Sequence, residues 1–330
     1  MTTRSASHQG VTSRIDRHLF WRLPVPARAD AQPRRAGIEI EFAGLEEGPV
    51  ARLVQGLWGG RIDARDGPRV RIADTDLGTV TVELDTALAR TGMEGMLLEA
   101  LGDLVPLEIV TPPLDPDTLP QVDRLVAALR AAGARGTREA LRFGFGLHLN
   151  PEIAGPETVV GVCRAYGLLE DWLRATDPID PARRALPFVD AWPRALVDRL
   201  AAEGADWQVA DLADAYLAMT PTRNRGLDLL PLLEHLEPAR VAAALPEGQA
   251  KGGRPTFHYR LPEARVNEAD WSVAYEWNRW VVVERVAARP DLLEALAEEW
   301  LAHRAALFTI RPDWARTVEE HLRAARIWVG

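Results

Sequence analysis

Between residues 36 and 150 the chain repeatedly alternates apolar and polar side chains over short runs. The runs AGIEIEFAGL, RIDARDG, RVRIADTDLGTVTVELD, LVPLEIVTPPL and LRFGFGLHLNPE are each bounded by Gly, Pro or Asp. A period of two residues places every second side chain on the same face, which is the pattern of strands with one buried side. Hairpin-length connections join most of them, so neighbouring strands run antiparallel. Two helical stretches interrupt the strands, GMEGMLLEALGDL and DTLPQVDRLVAALRAAG, and the second stops at Gly133 as a C-terminal cap.

After this the period changes. From about residue 155 to 245, PETVVGVCRAYGLLEDWLRAT, PRALVDRLAAEG, VADLADAYLAMT and LDLLPLLEHL carry apolar positions at helical spacing. A strand returns at RPTFHYRLPEARV, and helices close the chain. Strands first and helices later predict an α+β fold: an antiparallel sheet of about six strands, a helical insertion and a helical C-terminus. Residues 1–35 read as a partly flexible N-terminal arm that packs through HLFWRLPVP, and residues 36–330 as a single domain. The arm is rich in arginine, but so is the whole chain, in which Lys251 is the one lysine; this is a bacterial compositional habit, not a transit signal.

Composition narrows the function. A net charge of -9 works against a nucleic-acid partner, because phosphate affinity comes largely from clustered positive charge. The longest apolar runs are broken by charge, so no spanning helix and no membrane role is expected. One cysteine, Cys163, excludes an intrachain disulfide and a cysteine-based zinc site and fits a cytoplasmic location. No glycine-rich phosphate loop opens a helix. The tryptophans are read as core aromatics, with a homo-oligomer face as the alternative.

Chemistry concentrates on the polar sides of the strands. Glu39 and Glu41 share a face opposite Ile38, Ile40 and Phe42; Glu83 and Asp85 repeat the device, as do His148 and Asn150, and Glu108 stands alone in VPLEIV. A single Glu-x-Glu pair more often lines a solvated sheet face. Several such strands with few lysines or hydroxyls point to carboxylates that meet, and these repel one another unless a cation intervenes. Oxygen ligands with one imidazole suit Mg2+ or Mn2+. Downstream, Glu263 and Arg265 alternate in RLPEARV, Arg223 and Arg225 occupy a loop in TPTRNRGLDLL, and Lys251 sits between glycines as a lid residue or a solvated turn. Each arginine equally fits a surface ion pair.

In this order, GIEIEF, VELD, LEIVTPPL, FGFGLHLN and RNRGLDLLPLL resemble the amidoligases, relatives of glutamine synthetase and glutamate-cysteine ligase in the carboxylate-amine ligase superfamily, over about residues 35 to 285. The resemblance implies a curved antiparallel sheet of the glutamine synthetase kind, whose concave face holds ATP and divalent metal. It implies Glu39, Glu41, Glu83, Glu108, His148 and Glu263 as metal ligands, and Glu41, Glu83 and Arg265 in catalysis. Arg223, Arg225, Arg260, Asn150 and Lys251 then contact ATP or substrate. Arg260 lies three residues before Glu263, a spacing that departs from the family pattern. The implied activity is ATP-dependent amide formation through an acyl phosphate, between a small-molecule or peptide carboxylate, a glutamyl-type group among them, and an amine. A non-catalytic nucleotide- or peptide-binding module and a metal-dependent hydrolase stay open as alternatives.

Overall fold

The alternation in GIEIEF becomes a strand at the centre of a sheet. The protein is represented by a computed structural model that describes residues 10–63, 69–84, 106–137, 144–184, 189–246, 249 and 252–329. Strand β1 (Ala36–Phe42) buries Ala36, Ile38, Ile40 and Phe42 on one side and leaves Gly37, Glu39 and Glu41 partly accessible on the other. It lies between β5 (Leu107–Val110) and β6 (Leu147–Pro151). Outward from β5 come β4 (Gly78–Leu84), β3 (Arg69–Thr75) and β2 (Arg61–Ile62); outward from β6 come β8 (His258–Tyr259) and β7 (Leu227–Asp228). Every pairing in this eight-stranded sheet is antiparallel.

Among the described residues the sheet has eight strands, where the sequence suggested about six. Two readings are corrected. RPTFHYRLPEARV is not one long strand: only His258 and Tyr259 join the ladder, and Glu263 touches the sheet through a single bridge to Gly146. Pro255 and Pro262 carry no N–H to donate, which interrupts the ladder at each, so that Thr256 and Glu263 join it only as isolated bridges to Glu152 and Gly146. Leu227 and Asp228, read as the start of a helix, form the edge strand β7, because an apolar run this short has no period of its own. The helix expected over residues 92–104 lies outside the described residues.

Helices cover the apolar side and build a second layer. α1 (Glu47–Trp58) packs on β3 and β4. α2 (Pro120–Ala131) ends at Gly133, whose φ of 94° lets the N–H of Ala134 reach back to the Leu129 carbonyl at 3.0 Å. α3 (Pro156–Thr176) is buried along most of its length and is surrounded by helices from the rest of the chain. These are α5 (Arg194–Glu203), α6 (Val209–Met219), α9 (Val273–Ala287), α10 (Pro290–Ala305) and α11 (Arg311–Ala324). The short α4 (Pro181–Arg184), α7 (Leu230–Leu236) and α8 (Pro238–Ala244) complete the region.

Buried carboxylates inside this helical layer are paired. Glu170 accepts from Tyr166, Arg174 and the Trp192 N–H, and Glu276 with Asp177 neutralises Arg265 and Arg279. Val11, Ile15 and Leu23 bring the N-terminal residues into the same core, and Arg34 anchors them through a bidentate pair with Glu284. None of the described helices is long and apolar enough to cross a membrane.

Candidate metal centre

Register decides which side chains meet. Directly opposed residues in an antiparallel ladder lie on the same face. One row across the sheet reads Arg69, Glu83, Glu108 and Glu41, and Glu41 continues to Gly146 through its backbone N–H. The next row pairs Val110, Glu39 and His148. A third pairs Gly37 with Asn150, and the β6, β8 and β7 registers carry it on past His258 to Asp228. The polar positions of six separate sequence stretches thus become one acidic patch with two imidazoles.

The contacts are short. His148 Nδ1 lies 2.8 Å from Glu39 Oε2 and 3.9 Å from Glu108 Oε1, and its Nε2 lies 3.4 Å from Glu41 Oε1. Asn150 donates to Glu39 at 2.9 Å, and the Gly146 N–H donates to Glu41 at 2.5 Å. His258 donates from Nδ1 to Asp228 at 3.1 Å, and its ring meets that of His148 edge to face with centroids 5.3 Å apart. Two triads bring potential ligand atoms within 4.8 Å of one another: Glu41, Glu108 and His148, and Glu39, His148 and His258.

Burial sets the protonation of the patch. It raises the pKa of Glu41, and the opposing pull of Arg183 and the Gly146 N–H does not cancel this. Burial also works against ionisation of Glu39, but His148, His258 and Asn150 outweigh it and hold its pKa below the ordinary value. Burial pushes His148 down despite its bond to Glu39, and pushes His258 down to about 4 despite its bond to Asp228. Both rings are thus neutral near pH 7, as metal-ligating imidazoles must be. Carboxylates opposed in register with neutral imidazoles beside them form a donor set suited to a divalent cation.

Of the residues singled out in the sequence, Glu39, Glu41, Glu108 and His148 converge, and Asn150 fixes Glu39. Glu83 stands next in the row, on the side away from His148, and accepts from Arg69 at 2.7 Å. Glu263 is not brought into either triad; its carboxylate accepts the Asp180 N–H at 2.6 Å. Arg265 points into the Asp177 and Glu276 ion cluster. Arg223 pairs with Asp228, Arg225 binds Thr220 and the Ala191 carbonyl, and Arg260 donates to the Arg223 carbonyl. Asp85 and Lys251 lie outside the described residues.

Sequence reading passed over Arg183, Asp228 and His258. The buried Arg183 guanidinium donates to the Gly144 and Arg260 carbonyls at 2.8 and 2.6 Å, while its Nε has no partner among the described residues. Burial lowers its pKa to about 10 against the attraction of Glu41 and Glu263, and it remains cationic. No local pattern in PARR reveals this position. His258 did carry a signal, since FHYR puts it two residues from Arg260 on a strand, and Asp228 stands as a lone acid among leucines.

Gly146 lets the two groups approach. A Cβ there would lie 2.7 Å from His148 Nε2 and 2.9 Å from Arg183 Nη1, closer than contact distance. Gly146→Ala is therefore expected to destabilise the fold by about 1–3 kcal/mol, as overpacking does. It should also weaken divalent-ion binding, read by a denaturant melt and an ion titration on the same sample. A variant with unchanged melt and titration would show that the His148 and Arg183 positions are not confined as described.

An antiparallel sheet whose polar face gathers carboxylates and imidazoles defines an α+β protein with a candidate metal site. Comparison with family models places it further: the model described as "Putative amidoligase enzyme" matches residues 32–282, and the chain belongs to that family, within the carboxylate-amine ligase superfamily. Comparison with curated proteins finds no match.

Proposed function

We propose that the protein is an ATP-dependent ligase that joins a carboxylate to an amine through an acyl phosphate. The observation that carries this reading is the cross-strand row of Glu83, Glu108 and Glu41 beside Glu39 and His148, with the Arg183 guanidinium next to it. Like charges opposed in register destabilise a sheet. Retaining them makes sense where a bound cation and its phosphate ligands complete the site.

Glu39, Glu41, Glu108 and His148 would hold Mg2+ or Mn2+, with Glu83 adjoining. When bound, the ion offsets charge on the triphosphate and on the phosphoryl group in flight. Arg183 supplies a fixed positive charge beside the same space. A substrate carboxylate oxygen attacks the γ-phosphorus, the bond to the bridging oxygen breaks and ADP leaves. The amine nitrogen then attacks the acyl carbon, the carbon–oxygen bond to phosphate breaks, and a proton leaves the nitrogen. Glu83, partly accessible and next to Glu108 in the row, would take that proton. The partners are a small-molecule or peptide carboxylate and an amine.

The test is ADP release by the purified protein with ATP and Mg2+ or Mn2+, across a panel of amino acids and peptides. ADP is expected only when an acid and an amine are supplied together. Nucleotide binding without ADP under any pair would identify a binding module. Amide cleavage without nucleotide would identify a hydrolase.

A further inference from the structure

Past residue 282, where the stretch that matches the family ends, the chain continues into the hairpin of α10 and α11. The two helices pack through Trp300 and Trp314, whose rings meet edge to face with centroids 5.0 Å apart. Beyond that contact the connecting loop ALFTI, residues 306–310, projects from the helical layer. Leu307 is 95% exposed, Phe308 93% and Ile310 55%, and Leu301 on the last turns of α10 is exposed beside them. Single apolar side chains on a surface are ordinary, but adjacent large ones at a projecting tip mark a contact site.

Three guanidiniums stand behind this tip. Arg304 near the end of α10 is held by Asp198, and Arg311 at the start of α11 by Asp171. Arg194, the first residue of α5, lies 3.5 Å from Thr309 Oγ1 in the loop itself and pairs with no carboxylate among the described residues. Burial, and then repulsion from Arg311 and Arg304, lower its pKa. Asp313 is engaged by Arg316, and Glu298 and Glu299 lie about two turns back along α10. Cations thus outnumber acids at the root of an apolar tip.

We propose that the 306–310 loop is an interfacial anchor for an anionic phospholipid surface, with Leu307 and Phe308 entering the acyl region and Arg194, Arg304 and Arg311 at the level of the phosphates. Apolar insertion and attraction to anionic lipid act together in such contacts. A protein pocket could bury Leu307 and Phe308 equally well. The arginines, however, flank the loop on both sides and meet its middle, a spread that suits a plane of phosphates better than one acid. This departs from the expectation of no membrane role, which rested on the lack of a spanning helix; an interfacial contact needs none. The net charge of -9 repels anionic lipid elsewhere on the protein, so this face sets the orientation. The proposal does not rest on the ligase reading.

The experiment sediments the full-length protein with vesicles of phosphatidylcholine alone and of phosphatidylcholine mixed with phosphatidylglycerol. Wild type should bind the mixed vesicles more strongly, and added salt should weaken this. Leu307→Ser and Phe308→Ser should each weaken binding by about 10–100-fold, the effect of withdrawing one large apolar side chain from apolar surroundings. Arg194→Gln should weaken it about fivefold, the share of one cation near an anionic surface. Melting curves of the two loop variants should stay with wild type, because both side chains lie outside the core. Wild type that binds neither vesicle, or loop variants that bind as wild type does, would overturn the anchor. So would a wild-type dimer in analytical ultracentrifugation that the loop substitutions make monomeric, with no vesicle binding, since the tip would then join two copies of the chain.

Discussion

Glu41→Gln should lower ADP release by about a thousandfold or more, the effect of losing about 4 kcal/mol of metal-dependent charge stabilisation. Its effect on the resting fold should have the opposite sign. Glu41 faces Glu108 across the β1 and β5 ladder, and Glu108 faces Glu83 across the next. Removing one charge from that row relieves repulsion worth roughly 0.2–1 kcal/mol per opposed pair. The amide oxygen of Gln can still accept the Gly146 N–H, so local geometry is kept. The metal-free variant is thus expected to melt at or above the wild type.

Divalent ion at about a hundredfold excess over its Kd should then stabilise the wild type by about 2.7 kcal/mol and the variant far less. Activity loss together with a flattened ion response and a retained or raised melting point is the full signature. A variant that keeps its turnover would remove Glu41 from the site. One that loses turnover only by unfolding would leave the repulsion argument without support.

The second large effect lies far from the sheet face. Arg34→Ala should destabilise the protein by about 3–5 kcal/mol, the loss expected when one partner of a buried ion pair is removed and the other is stranded. Arg34 Nη1 and Nη2 meet Glu284 at 2.6 and 2.8 Å, with side-chain exposures of 2% and 3%. The same guanidinium donates from Nε to the Glu152 carbonyl at 2.6 Å and from Nη1 to the Val25 carbonyl at 3.0 Å. Arg34 therefore ties the N-terminal residues, the end of β6 and helix α9 at one point.

The measurement is the denaturant midpoint at unchanged slope. Glu284→Ala alone should be comparably damaging, because it strands Arg34 and the Trp280 indole N–H together. The double variant should cost less than the sum of the two, since the residues share one interaction. Strict additivity would show that the pair contributes nothing as a pair.

Much of the sheet was legible because its signal is local. Ile38, Ile40 and Phe42 alternate with Glu39 and Glu41, and no tertiary contact is needed to know that the two sets point apart. The same holds for Leu147 and Leu149 against His148 and Asn150. The period failed where elements are short. Leu227 and Asp228, or His258 and Tyr259, give two-residue strands whose existence depends on the neighbour they pair with. Glu263 and Arg265 looked equivalent to the other alternating pairs, yet Pro262 interrupts the ladder and leaves that segment joined to the sheet by an isolated bridge at Gly146. Their charges are spent on Asp180 and on the Asp177 and Glu276 cluster.

By itself, the sequence determined the class of fold and which face of each long strand is acidic, because a two-residue period and apolar spacing act within a few residues of chain. Only the tertiary structure decided which acids become neighbours, through a register that sets Glu41 opposite Glu108 and Glu39 opposite His148. It also supplied Arg183, Asp228 and His258, which come from stretches separated along the chain and acquire their roles only where burial removes water and leaves each polar atom to a specific partner.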